Sequence, residues 1–320
     1  MTRSIVAVTG ATGFIGRRIV RALTDQGYAV RALVRRSPAR EEADASDAVS
    51  WVLGSLNDHV ALSDLVKDAA AVIHIAGAIK AADREGFLEV NGAGTRRLAE
   101  IAAAQPTPPR FIYLSSIAAR EPRLSAYAAS KRLGEQGVRA LMPALPAVIL
   151  RPPAVYGPGD METLKIFQMA AKGFLVAPMV AGARTSLVHV DDVAGAVMAA
   201  MSLEHLPDGP VEFDDGKPGA YGWAEIAAAA GAALGTRPRV IPVPAAVLYL
   251  AGAAASGWAS VTRRPTVLSW GKVPELLHPD WMAAGVPLAG YKPLWNLENG
   301  FRDTVSWYAS RGLLTSLHLS

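Results

Sequence analysis

One short stretch constrains this chain more than any other. The apolar run Ile5-Val6-Ala7-Val8 passes directly into Thr9-Gly10-Ala11-Thr12-Gly13-Phe14-Ile15-Gly16. Such a run, rich in β-branched residues, reads as a buried strand. From Phe14 the apolar residues Ile15, Ile19, Val20 and Leu23 recur at helical spacing, and Gly27 ends the pattern as a C-cap. The three glycines therefore sit at a strand–helix junction. The first permits a tight turn, the second lets backbone approach a pyrophosphate, and the third lets helix and strand pack closely. The helix N-terminus then faces the phosphates. A glycine triplet alone is a weak signal, but this context is the one that gives it meaning. Gly10, Thr12, Gly13, Phe14, Ile15 and Gly16 are the expected phosphate-side residues.

The following chain repeats the alternation. Strand-like runs recur at 28–34, 49–53, 71–75, 110–114 and 147–150, with helical stretches near 62–68, 86–104 and 127–140. Strictly alternating β and α predicts an α/β fold with a doubly wound parallel sheet of the Rossmann type. After Arg151 the turn signals Pro152-Pro153 and Gly157-Pro158-Gly159 change the pattern, and an Ala-rich helix follows at 223–234. The expected organisation is a dinucleotide-binding core over 1–155. A smaller C-terminal, mainly substrate-binding lobe over 156–320 interleaves with the core's sheet edge.

Composition narrows the function classes. The chain has 32 Lys and Arg against 28 Asp and Glu, a formal charge of +4. With no long basic run, this excess makes no nucleic-acid footprint. Charged residues are 19% of the chain, against about 25% in an average globular protein, and hydrophobic residues are 51%. Such a chain folds around a large core rather than staying disordered. The absence of cysteine excludes disulfides, thiol nucleophiles and thiolate-bound metals, and the 6 histidines show no ligand spacing, so no metal is expected. The apolar run at the N-terminus is too short for a signal-peptide core, and a cytoplasmic location is the expectation.

The second strand ends Val34-Arg35-Arg36. A site for NAD usually places an acid about 20 residues past the glycines, on the ribose 2′-hydroxyl. Val34 stands there instead. Guanidinium groups with no competing carboxylate favour a 2′-phosphate, so NADP(H) is the expected cofactor, with Arg35 and Arg36 as its phosphate partners. Arg31, inside the strand, is the weaker candidate.

Tyr127-Ala128-Ala129-Ser130-Lys131 puts a phenol and an ammonium on one helical face. A free phenol has a pKa near 10 and is a slow acid–base group at neutral pH. A neighbouring Lys⁺ and an oxidised nicotinamide both favour the phenolate and tune it toward working pH. Ser115 and Ser116, at the end of the preceding strand, offer a hydroxyl for a substrate carbonyl.

The glycine motif, the strand-end serine and Tyr127-x-x-x-Lys131 together resemble the short-chain dehydrogenase/reductase superfamily. More closely, they resemble its extended, epimerase/dehydratase-like branch. Val72-Ile73-His74-Ile75-Ala76-Gly77, Val90-Asn91-Gly92-Ala93-Gly94-Thr95, Leu150-Arg151-Pro152-Pro153, Val188-His189-Val190-Asp191-Asp192-Val193 and Gly290-Tyr291-Lys292-Pro293 agree. The resemblance implies that Ser116 orients a carbonyl, with Ser115 as the alternative. Tyr127 exchanges the proton, and Lys131 tunes Tyr127 and holds the nicotinamide ribose. It places Ala76, Gly77 and Asn91 beside the cofactor and Pro152 along the nicotinamide, and it implies a homodimer. His74, Asp191 and Asp192 read as structural, the two aspartates as caps of the helix that follows.

The reaction is narrowed by departures from the branch's nucleotide-sugar members. Ser116 continues into Ile117-Ala118-Ala119-Arg120-Glu121-Pro122, and only a short segment precedes Tyr127. The acid pair that a dehydratase uses for elimination is replaced by Ile117-Ala118. Reduction of a ketone needs only Ser116, Tyr127, Lys131 and NADPH. The Arg31…Arg35 strand ending resembles dihydroflavonol-reductase-like and 3β-hydroxysteroid-dehydrogenase-like enzymes, and 115–131 resembles bacterial reductases that include enzymes acting on 3-keto ceramide precursors. The expectation is NADPH-dependent reduction of a bulky apolar ketone, such as a 3-ketosphingolipid, a 3-oxo-ceramide or a steroid-like ketone. A nucleotide-sugar epimerase and a non-catalytic NADP(H)-binding scaffold are the alternatives.

From 240 to 262 no residue is charged, while Arg237 and Arg239 precede the stretch and Arg263 and Arg264 follow it. The length approaches a bilayer span. Pro242, Pro244, Gly252 and Gly257 interrupt it, and alanine dominates, which disfavours insertion. It reads either as a buried helix of the smaller lobe or as an apolar lid or membrane-surface helix beside a lipid pocket. In the second reading Trp258 and the arginines sit at headgroup level, a peripheral contact at the inner face of a membrane.

Overall fold

The computed structural model describes residues 3–37, 47–262, 270–284 and 288–314. Strands β1 (Ile5–Thr9), β2 (Ala29–Val34), β3 (Val49–Leu53), β4 (Ala71–His74), β5 (Arg110–Leu114) and β6 (Ala147–Arg151) form one parallel sheet. Their order is β6-β5-β4-β1-β2-β3, with the two-residue strand Val211–Glu212 beyond β6. Every residue of β4 and β6 is buried, which is why these strands read as unbroken apolar runs. The order reverses between β1 and β4. That switch point is where an open α/β sheet leaves a crevice at its carboxyl edge.

The helices α1 (Phe14–Asp25), α2 (His59–Val66), α3 (Gly94–Ala103) and α4 (Ala126–Arg139) accompany the sheet. Asp58 and Ser125 cap α2 and α4, accepting from the amides of Ala61 and Ala128 at 3.0 and 2.9 Å. Leu62, Leu65, Val72, Leu98, Phe111, Tyr113 and Val138 belong to one buried cluster under the sheet. The single helix expected over 86–104 is divided. Arg84–Phe87 is one α-turn, Leu88–Ala93 is π-helical, and α3 follows. A π-turn holds one extra residue and is a frequent feature of functional sites. Here it carries Asn91.

Two compact units make up the chain. The first takes in Met1–Arg151, Ala194–Glu212 and Gly285–Tyr291, so the chain returns after 193 to add the sheet's outer strand. The second takes in Pro152–Val193, Phe213–Ala284 and Lys292–Ser320. Its strands form parallel pairs: Ala154–Tyr156 with Leu187–His189, Phe174–Pro178 with Arg239–Val243, and Arg184–Thr185 with Asp280–Trp281. Its core is aromatic. Phe301 packs edge-on against Tyr156 and Phe167 at centroid distances of 5.1 and 4.9 Å. A side chain at Gly300 would strike the Tyr156 hydroxyl, which explains the glycine there.

The 240–262 stretch is not a buried helix. Arg239–Val243 is a strand, and the helix Ala245–Thr262 exposes Val247, Leu250 and Trp258. Among the described residues no helix is long and apolar enough to cross a membrane. Arg263 and Arg264 lie outside the described residues.

Candidate active site

The glycine loop is shaped by close backbone approach. Gly10 has φ +77°, and a Cβ there would lie 2.7 Å from the Ala76 amide nitrogen. At Gly16 a Cβ would lie 2.0 Å from the Gly10 carbonyl oxygen. Only glycine fits either place. Gly13 is the N-cap of α1 and supplies no side-chain cap, so no side chain competes for the first amides of α1. Thr12 and Gly13 are exposed, and Phe14 and Ile15 are half-buried. The cradle is thus open to solvent at a helix N-terminus, the arrangement that accepts a pyrophosphate.

Beside it, the residues after β4 are fixed by a buried relay. Thr95 Oγ1 donates to the Asn91 carbonyl at 2.8 Å, so toward His74 Nε2, 2.9 Å away, it accepts. His74 therefore carries its proton on Nε2, and Nδ1 accepts from the Thr9 hydroxyl at 2.7 Å. Thr9 Oγ1 in turn accepts from the Ala76 amide at 3.2 Å. Burial, then the charge of Lys131, lowers the His74 pKa to about 3, so the ring is neutral. His74 thus has a structural place. Asn91 grips the same loop, accepting from the Ala78 amide at 2.7 Å and donating to the Ala78 carbonyl and Ser130 at 2.9 Å. A Cβ at Gly77 would lie 3.0 Å from Asn91 Oδ1 and 3.7 Å from Lys131 Nζ, which brings Gly77, Asn91 and Lys131 together.

Arg35 and Arg36 follow the last residue of β2 and are exposed. Leu33 pairs in register with Thr9, so the arginines emerge beside the glycine loop. Neither makes a hydrogen bond or ion pair with a described residue. Arg31 is otherwise engaged: its guanidinium donates to the carbonyls of Asp64, Leu65 and Lys67 at the end of α2.

The two serines diverge. Ser115 is buried and donates to Glu135 at 2.6 Å. Ser116 is half-buried and caps the 3-10 turn Ile117–Arg120, accepting from the Ala118 amide at 3.2 Å, which leaves its own hydroxyl hydrogen to donate elsewhere. Tyr127 and Lys131 lie four residues apart on α4. Tyr127 is half-buried with Phe87 edge-on at 6.2 Å. Lys131 is buried and donates to the Leu114 carbonyl at 2.8 Å, with Nζ 4.7 Å from the Tyr113 ring centroid. Burial brings its pKa down to about 7, with Glu135 opposing. Gly134 lets α4 come this close to the π-turn, since a Cβ there would meet the Asn91 carbonyl at 2.4 Å.

Sequence reasoning missed Glu135 and the role of Arg151. Arg151 donates to Glu135 twice at 2.7 Å and to Glu212 at 3.2 Å, while Arg120 reaches Glu212 at 3.3 Å. The signal available was spacing: Glu135 lies four positions after Lys131 and eight after Tyr127, on the same helical face. Pro152 is buried and opens the second unit. In that unit Asp191 and Asp192 lie in the first turn of the helix Val190–Met201 rather than ahead of it. Asp192 accepts from the amides of Leu294 and Trp295 at 2.8 and 3.1 Å, so it ties down another segment instead of capping its own helix.

A parallel sheet of this order, with a side-chain-free glycine cradle at its switch point, is the architecture of a dinucleotide-binding protein. The model of the NAD dependent epimerase/dehydratase family matches residues 6–210. The chain belongs to this family, among the extended short-chain dehydrogenases/reductases, and uses a nicotinamide cofactor. It is 45% identical over 313 residues to a ceramide reductase of Caulobacter vibrioides, covering 98% of this chain and 96% of that protein. The crystal structure of gox2253 superposes with a TM-score of 0.75 at 22% identity, over 98% of this chain and 100% of that one. The Bordetella bronchiseptica enzyme WbmH, solved in complex with NAD+, superposes with a TM-score of 0.70 at 22% identity, over 97% and 99%. At these identities the two structures speak for the fold.

Proposed function

We propose that this protein is an NADPH-dependent reductase of a bulky apolar ketone, a 3-oxo-ceramide or related 3-ketosphingolipid. The observation that carries this reading is the end-to-end match, at 45% identity, to a protein named for ceramide reduction. The glycine cradle fits a dinucleotide because only backbone lines it at Gly10 and Gly16. The two exposed arginines after β2, with Val34 in place of an acid, support a 2′-phosphate and hence NADP(H) over NAD.

When bound, the cofactor supplies a hydride. The chain's own residues supply the rest. Ser116 donates a hydrogen bond to the ketone oxygen and polarises it. Tyr127 Oη gives that oxygen its proton as the carbonyl carbon gains the hydride, so one hydride and one proton convert C=O to CH–OH. The phenolate left behind is neutralised by a proton from water. Lys131 stands one turn along the same helix; its ammonium favours the phenolate and holds the nicotinamide ribose. Glu135 holds Ser115 and Arg151 and keeps α4 in register with the ends of β5 and β6. Asn91 fixes the loop Ala76–Ala78 that borders the cofactor, and Pro152 borders the nicotinamide.

The test is product analysis. Purified protein with NADPH and a 3-oxo-ceramide yields the 3-hydroxy lipid by mass spectrometry, with one NADPH consumed per product. Isomer exchange on UDP-sugars with no net NADPH loss would replace this reading with an epimerase.

A further inference from the structure

The helix Ala245–Thr262 carries no charged residue, yet it lies at the surface of the second unit. Over 245–258 only Gly252 is buried, while Leu250 is 71% and Trp258 68% exposed. A helix that is apolar on all sides is normally covered by protein or lipid. The exposed surface continues beyond it. Val176 and Ile241 are directly paired between the strands Phe174–Pro178 and Arg239–Val243, so they share a face, and both are exposed. Met179, just after the strand, is also exposed, and Trp270, packed on Tyr249 at 4.8 Å, extends the helix side. A groove of about 480 Å³ beside the strand pair is lined by Met179, Trp223, Val240 and Pro242, with Arg184 and Glu225 also in its lining. Exposed apolar surface of this amount marks an interaction site.

Charge selects the occupant. Lys172, Arg237 and Arg239 are exposed around one end of the strand pair, Arg239 facing Phe174 in register. None of the three forms an ion pair among the described residues. No acidic residue occurs in 172–183 or in 226–274. The acid that borders the groove, Glu225, is already paired with Arg184 and Lys217, so the three cations leave positive charge beside the apolar face, which complements an anionic lipid surface. Among the described residues no helix is long and apolar enough to cross a bilayer, so the contact open to this uncharged, exposed helix is with the bilayer surface. Trp258 and Trp270 then take the headgroup level that indole rings favour.

We propose that the helix Ala245–Thr262, with Val176, Met179 and Ile241, is a docking surface for an anionic lipid bilayer. This goes beyond the reductase reading and does not depend on it, because binding requires no turnover. The experiment is sedimentation of the full chain with vesicles of phosphatidylcholine alone or mixed equally with phosphatidylglycerol. The wild type sediments with the mixed vesicles and its tryptophan emission shifts to the blue. Leu250→Glu/Trp258→Glu lowers the bound fraction at least tenfold, and Arg237→Glu/Arg239→Glu lowers it to the level seen on phosphatidylcholine. Both variants keep wild-type NADPH affinity and circular dichroism, since all four side chains are exposed. Failure of the wild type to bind mixed vesicles overturns the proposal, as does wild-type binding by Leu250→Glu/Trp258→Glu. Light scattering adds a further arm: a dimer that this variant converts to monomer, with no vesicle binding by the wild type, assigns the face to a second copy of the chain instead.

Discussion

Arg151 holds Glu135 through two hydrogen bonds of 2.7 Å, which fastens the helix of Tyr127 and Lys131 to the end of β6. Ser115 adds a third bond to the same carboxylate at 2.6 Å, fastening it to β5 as well. Burial opposes the Arg151 charge, but the two glutamates outweigh it and raise its pKa. The buried charges thus set where α4 sits between two strands.

Breaking that clamp leaves a buried guanidinium with half its partners. Glu135→Ala is expected to cost about 3–5 kcal/mol of unfolding free energy, the range for removing one partner of a buried ion pair. Urea unfolding followed by circular dichroism measures it. A loss under about 1 kcal/mol, the scale of exposed pairs, would mean the clamp is solvated.

His74 makes folding sensitive to acid in a defined direction. Its folded pKa is about 3, below the ordinary 6.5. Between these values the unfolded chain takes up a proton that the folded ring refuses. The stabilisation is therefore complete above pH 6.5 and is lost as pH falls toward 3, at about 1.4 kcal/mol per pH unit. Unfolding free energies of wild type and His74→Gln, measured from pH 7 to pH 4, should converge as pH falls. Parallel curves would show that the folded ring takes up its proton as readily as the unfolded one.

The arginines after β2 should decide between the two nicotinamide cofactors. Arg35→Asp/Arg36→Ala places a carboxylate where a 2′-phosphate would lie. NADPH affinity is expected to fall at least tenfold, with NADH affinity unchanged or improved. Fluorescence titration with each cofactor reads this out, and an equal loss for both would remove the arginines from the phosphate site.

Much of the fold was legible because buried parallel strands are continuous apolar runs with turn residues at their ends. β5, buried from Phe111 to Leu114, falls on the residues that the sequence pattern marks. The glycine loop was legible because its spacing is dictated by backbone approach. Other features depend on neighbours that a linear pattern does not contain. Ser115 and Ser116 are alike in sequence, and only the strand's alternation and the position of Glu135 separate the bound hydroxyl from the available one. Glu135 itself reads as an ordinary surface charge until Arg151 is seen opposite it. The π-turn at Leu88–Ala93 keeps a helical apolar rhythm, so a continuous helix was expected there. The uncharged 240–262 stretch revealed its apolarity but not its exposure, since composition does not show which surfaces the fold leaves uncovered.

The central claim is that Tyr127 delivers the proton in ketone reduction. Its most direct measurement is the steady-state rate of NADPH oxidation with a 3-oxo-ceramide for wild type and Tyr127→Phe, alongside NADPH binding to each. The account predicts a fall in kcat of about 10²–10⁴-fold with NADPH affinity unchanged. A Tyr127→Phe enzyme that reduces the ketone at the wild-type rate would contradict it.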